Sequence, residues 1–189
     1  MDAETMNFKT QTTALQQLRS DCAKRQKKGL HFILASVLIW TAILVTHLTS
    51  LPIETKNLVT FCCACPLLPL AFMISKIIHV DFQGKSNPLT ALGLLFSVNQ
   101  ILYILIAMWV FNAVPDKMLM VYTIIFGAHL MPYSWLYQSK SYMVLSIVVP
   151  IAALLVGLMA EPFVLAAMMV VVEIGFSVSL MIENKNIKK

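Results

Sequence analysis

The sequence predicts an all-α fold: a polytopic transmembrane bundle of about six helices, with both termini on the cytoplasmic side. Three observations carry this. Only 12% of the 189 residues are charged while 59% are hydrophobic, where a soluble domain has about a quarter charged. The charges collect in the first 28 residues, in short loops and at the C-terminus, leaving apolar runs close to the ~20 residues that an ~30 Å hydrocarbon layer requires. The lysines and arginines, finally, fall overwhelmingly on one set of alternate loops. Spanning strands would be ~10 residues long and would alternate apolar with polar, which these runs do not. Helices satisfy their own backbone hydrogen bonds, as hydrocarbon demands.

Six runs follow one another, at about 30–51, 58–78, 88–111, 118–137, 142–160 and 162–182. Together they form a membrane domain over 30–183, between a basic arm (1–29) and a basic tail (184–189). The first run follows a long polar arm and no small-residue cleavage site succeeds it, so it reads as a spanning helix rather than a cleaved signal. Pro88 and Pro162 open their runs, where a missing N–H costs nothing. The loops are too short to hold a further domain.

Lys and Arg favour the cytoplasmic side of short loops. Lys9, Arg19, Lys24, Arg25, Lys27 and Lys28 of the arm, Lys76 and Lys85, Lys140, and Lys185, Lys188 and Lys189 of the tail fall together. Only Lys56 and Lys117 fall opposite, beside Glu54, Asp116 and Glu161. Twelve against two orients the chain N-in and C-in and supports an even number of spans. The net charge of +5 is thereby explained without a nucleic-acid partner. The cluster Lys24, Arg25, Lys27 and Lys28 suits contact with anionic lipid at the cytoplasmic face. Phe8, Leu15, Leu18 and Cys22 lie roughly on one helical face, so the arm reads either as a surface helix or as disordered chain.

Known chemical motifs fail. Gly84-Lys85-Ser86 resembles the end of a phosphate-binding loop, but His79 stands where its first glycine belongs. Cys62, Cys63 and Cys65 sit in an apolar run before Pro66, where packing as small apolar residues is the favoured reading over a metal site. Ala153 with Gly157, and Gly175 with Ser179, have the spacing of close helix packing. No metal, cofactor or catalytic residue is assigned.

The functional lead is polar. Asn99, Gln100, His129 and Glu173 each lie about eleven residues into a span, near the midplane. Tyr122, His129, Tyr133 and Tyr137 fall within about 80° of arc, and Asn99, Gln100 and Tyr103 within about 100°. A buried carboxylate costs ~3 kcal/mol or more and needs a partner. Glu173 is therefore either a proton or cation site, with His129 sharing the proton and Asn99, Gln100, Tyr103 and Tyr133 bonding a ligand, or a protonated plug tying helices together. Pro132 lies beside His129 and frees a carbonyl.

The second and fourth runs both end with Pro ahead of a Ser-Lys pair, at Ser75-Lys76 and Ser139-Lys140. Those residues, with Asn87-Pro88-Leu89, Gly93 and the stretch Gly127-Ala128-His129-Leu130-Met131-Pro132-Tyr133-Ser134-Trp135-Leu136-Tyr137, resemble an uncharacterised bacterial family of small polytopic membrane proteins, a domain of unknown function. The resemblance implies bacterial origin and a place in the cytoplasmic (plasma) membrane; it supplies no activity. Two readings of function stand. One is a small transporter or channel with a midplane polar site, working as a homo-oligomer; the alternative is a non-transporting membrane protein that binds a protein or lipid partner. An intramembrane enzyme is the least favoured, since no metal triad or activated nucleophile is visible.

Overall fold

The computed structural model describes residues 3–82, 84 and 87–187. Lys85, Ser86, Lys188 and Lys189 lie outside the described residues, as do the side chains of Phe8 and Lys9. Among the described residues there are eight α-helices and no strand: α1 (Ala3–Arg25), α2 (Leu30–Leu48), α3 (Ile53–Ala64), α4 (Leu67–Ile77), α5 (Leu89–Ala113), α6 (Met118–Leu136), α7 (Lys140–Met159) and α8 (Pro162–Ile187). Five of them, α2 and α5 to α8, are individually long and apolar enough to cross a membrane, taken with their adjoining turns. α3 and α4 meet at a 41° bend and make a sixth crossing when the bent pair is taken as one span. Pro66 sits at the bend and supplies no N–H, so the ladder is interrupted where the 58–78 run looked continuous. Pro132 and Pro150, by contrast, are carried inside α6 and α7 without a break.

Two groups of helices form the bundle. The tightest packing is between α6 and α7, with α5 leaning on α6; on the other side α2 packs on α8 and α4. Apolar side chains fill two cores. One, near the termini, gathers Cys22, Ile33, Leu136, Tyr142, Phe176 and Leu180. The other, toward the opposite end, gathers Trp40, Ile43, Leu119, Val149, Leu165 and Met169. The outer faces carry exposed Leu, Ile, Val and Met along every span, which is what a bundle solvated by hydrocarbon presents.

At the end that carries α1 and the tail, here the basic end, the arm is a helix docked on the bundle. Cys22 and Ala23 are buried, and burial pushes the Cys22 thiol up to about 11. Arg19 donates to the carbonyl of Trp135 and lies over its indole, 4.3 Å from the ring centre. A cation is favourable there, at a helix C-terminus. Asn87 donates to the Leu18 carbonyl (2.8 Å) and to Asp21 (2.9 Å), and Tyr137 donates to Gln26 (2.7 Å). Between α1 and α2 the chain makes a left-handed turn, with positive φ at Lys27, Lys28 and Gly29. The turn is pinned by Tyr142, which donates to the Lys28 carbonyl (3.0 Å), and by Asn184, which donates to that of Lys27 (2.9 Å).

The arm's docking carries a pH dependence. The Arg25 guanidinium at 2.8 Å, with Asn87, holds the Asp21 carboxyl below the usual aspartate value. A group with a depressed folded value contributes its stability above its ordinary value of ~3.9 and loses it as pH falls through the lowered value. Asp21 is half-exposed, so screening keeps the effect under about 1 kcal/mol. Hydrogen exchange across α1, corrected for intrinsic rates, is expected to accelerate below about pH 4 in the native chain and to lose that step in Asp21→Asn. An identical acid response in both chains would dismiss the Asp21 contact as its cause.

Two of the Pro-containing helices, α4 and α6, close in the same way. Val80 N–H donates to the Ser75 carbonyl (2.8 Å) and His79 N–H to that of Lys76, while Ser139 N–H donates to the Ser134 carbonyl (3.1 Å) and Gln138 N–H to that of Trp135. His79 and Gln138 take the left-handed conformation this cap requires. The likeness in sequence is thus one of helix endings, with Ser75 matched to Ser134 rather than to Ser139.

Two packing expectations change. Ala153 and Gly157 are buried as their spacing implied, but a Cβ on Gly175 would meet nothing within 4 Å. Its partner in that spacing, Ser179, instead bonds Ser141 at 2.6 Å. Cys63 is half-buried, whereas Cys62 and Cys65 are exposed; an apolar helix does not reveal in its sequence which side meets lipid.

Candidate functional site

The two helix groups do not close against each other. Between α2, α3 and α4 on one side and α5 and α6 on the other lies a cavity of about 750 Å³. Along α5 it runs from Leu94 to Asn112, about 27 Å at the helical rise, so its mean cross-section is only about 28 Å². The walls are mostly aliphatic and aromatic. Leu68, Leu94, Val98 and Ile101 line it and are also exposed, Leu94 at 62% and Ile101 at 60%. The cavity therefore opens sideways, between α4 and α5, onto the hydrocarbon-facing surface.

Helical periodicity explains the lining. On α5, Leu94, Ser97, Gln100, Ile101, Ile104 and Met108 recur at three- and four-residue steps, and on α6 Tyr122, Phe126, His129, Leu130 and Tyr133 do the same. Gln100, His129 and Tyr133 thus meet at one cavity. Asn99 and Tyr103 do not line it and are exposed on the outer side of α5. Glu173 is not in the lining either: it is 0% exposed on α8, behind α2. Ser36 of α2 lines the cavity and its hydroxyl stands beside the Glu173 carboxyl, without the geometry of a full hydrogen bond to either oxygen. Ser177, one turn on, turns back to donate to the Glu173 carbonyl (2.9 Å) rather than to its side chain.

The polar groups at the cavity divide into spent and free. Tyr133 donates to the Gly93 carbonyl (3.0 Å) and pairs with Ser97 (2.6 Å). Tyr137 and Tyr142 spend their hydroxyl hydrogens on Gln26 and on the Lys28 carbonyl. His129 faces the carbonyl of Phe126 through Nδ1. A carbonyl only accepts, so Nδ1 carries the hydrogen and Nε2 is left as an acceptor. The ring stands edge-on to Phe126 and Tyr133. Gln100 brings an amide to the same wall.

The four basic residues next to the membrane have distinct surroundings. Lys24 and Arg25 are exposed, the latter paired with Asp21. Lys27 donates to the carbonyl of Ile78. Lys28 is buried and ion-paired with Glu183 at 2.6 Å, and Glu183 also accepts from the Ser141 N–H (3.0 Å) and hydroxyl (2.6 Å). The Lys28 pairing was not legible, because its partner lies 155 residues away.

Fold and cavity together define a multi-pass helical membrane protein with a laterally open apolar slot and a sparse polar belt. The chain belongs to a family of unknown function, DUF7010, which matches residues 15–183. No curated protein and no solved structure matches the sequence.

Proposed function

We propose that this protein is a non-transporting membrane binder of lipophilic molecules, which enter the slot sideways from the bilayer as an extended hydrocarbon chain. The supporting observation is the cavity itself: it is nearly as long as the ~30 Å hydrocarbon layer, as narrow as one or two chains, and open where Leu68, Leu94 and Ile101 face lipid. Apolar pockets with a few placed polar groups are the usual form of small-molecule sites. Transport coupled to Glu173 would require that carboxyl to meet water from each end in turn, and Glu173 is sealed from both. In this reading the basic end faces the cytoplasm, following the positive-inside sorting of Lys and Arg, and exposed Lys24 and Arg25 meet anionic headgroups there.

Trp40 lines the cavity and is buried, whereas Trp109 and Trp135 are exposed. In a Trp109→Phe, Trp135→Phe background, Trp40 fluorescence reports on the slot. Phospholipids brominated in the acyl chain are expected to quench it in nanodiscs. Filling the slot with Ala64→Phe and Ile104→Phe is expected to cut that quenching at least severalfold. Quenching that is negligible, or indifferent to both substitutions, would rule against the slot as a binding site.

A further inference from the structure

Resting on that reading, we infer that the preferred occupant is a lipophilic amine, whose ammonium group settles at mid-depth against Ser36, Gln100 and His129, with Glu173 as its counter-charge.

The argument is one of complementarity. Among the described residues, no Lys, Arg, Asp or Glu lines the slot. A fatty acid or a phosphate headgroup drawn to mid-depth would find no cation to balance it, and burying an unpaired charge is heavily unfavourable. The tyrosine hydroxyl hydrogens at the basic end are already committed to Gln26 and to the Gly93 and Lys28 carbonyls. What remains at mid-depth can accept: His129 Nε2 only accepts, while the Gln100 amide and the Ser36 hydroxyl can accept or donate. Such a wall accommodates a ligand that donates, and what favours a cation over a neutral donor is the carboxyl behind it.

The charge lies one layer behind. Glu173 is fully buried, and beyond the Ser36 hydroxyl beside it neither oxygen has a partner, which is less than a structural carboxyl tying helices together would have. Its route to the slot is short, because Ser36 lines the slot and stands beside the carboxyl. Serine is the smallest hydroxyl side chain, and rotating it aside lets a carboxylate meet an ammonium from the slot. The charge-assisted hydrogen bond so made is stronger than a neutral one, and water is excluded from it by the surrounding aliphatic wall.

The test uses the same Trp40 reporter with two brominated probes of equal chain length, bromododecylamine and bromododecanol, in nanodiscs of zwitterionic lipid. The amine is expected to bind about tenfold more tightly than the alcohol, the ratio that one charge-assisted bond supports. Glu173→Gln keeps the shape and removes the charge, and should bring the ratio to near one. Ser36→Val, which walls off Glu173 without altering it, should do the same and serves if the Gln variant fails to fold. Equal binding of amine and alcohol to the native protein overturns the amine inference and leaves the lipophilic slot intact. A tenfold preference that survives both substitutions also overturns it, since the selectivity then arises elsewhere. Failure of both probes to quench Trp40 removes the slot itself, and the inference with it.

Discussion

Glu183→Gln is expected to destabilise the bundle by about 2–3 kcal/mol, below the full cost of removing one partner from a buried ion pair because Glu183 is partly exposed. Lys28 and Glu183 are 7% and 20% exposed, and their charged atoms stand 2.6 Å apart. Glutamine can still accept from Ser141 through its oxygen, but it leaves the Lys28 ammonium buried against a neutral amide. The consequence spreads, because Lys28 lies in the left-handed turn that delivers α1 onto the bundle, and its own carbonyl holds Tyr142. Unfolding in graded denaturing detergent would measure the loss. Adding Lys28→Met to Glu183→Gln should recover a large part of it, since no buried charge then remains, and the double-mutant cycle isolates the pair from its neighbours. A single variant within about 0.5 kcal/mol of the native protein would show the pair to be solvated and dispensable.

The apolar runs were legible because hydrocarbon imposes a length on them, and each falls largely on helix, that over 58–78 on two. The break in the 58–78 run was not: Pro66 announces a bend, but Pro132 and Pro150 carry the same chemistry without one. Neighbours decide, and Pro150 has its ring wedged against α6 at Gly127. The arm could be read as helix or as disordered chain because its docking depends on Asn87, Trp135 and Tyr137, all far away in sequence. Within the polar set, depth was legible and direction was not. Gln100 and Asn99 are adjacent and equally deep, yet one lines the slot and the other is exposed. The slot itself had no sequence signal. It arises from the failure of α5 to pack on α2 and α4, a property of the assembly rather than of any one run.

The close contact of α6 and α7 makes Gly127 a sensitive glycine of the membrane region. A Cβ there would fall 2.6 Å from Cδ and 2.9 Å from Cγ of Pro150, and 2.9 Å from Cγ1 of Val149. Neither obstacle can yield: one is a closed ring, the other a β-branched side chain with a restricted rotamer. Gly127→Ala must therefore drive the helices apart, and overpacking of this kind costs typically about 1–3 kcal/mol. The displacement reaches the slot, because α6 presents His129 and Tyr133 to it one and two turns or less beyond Gly127. Gly127→Ala is thus expected both to lower unfolding stability in detergent and to weaken quenching of Trp40 by brominated lipid. Pro150→Ala opens room on the facing helix, so in the Gly127→Ala background it should return both properties toward native, a non-additive response that marks direct contact. Independent, additive losses from the two substitutions would mean that α6 and α7 stand further apart than the structure places them, and the inward presentation of His129 would then have to be sought in the packing of α5 instead.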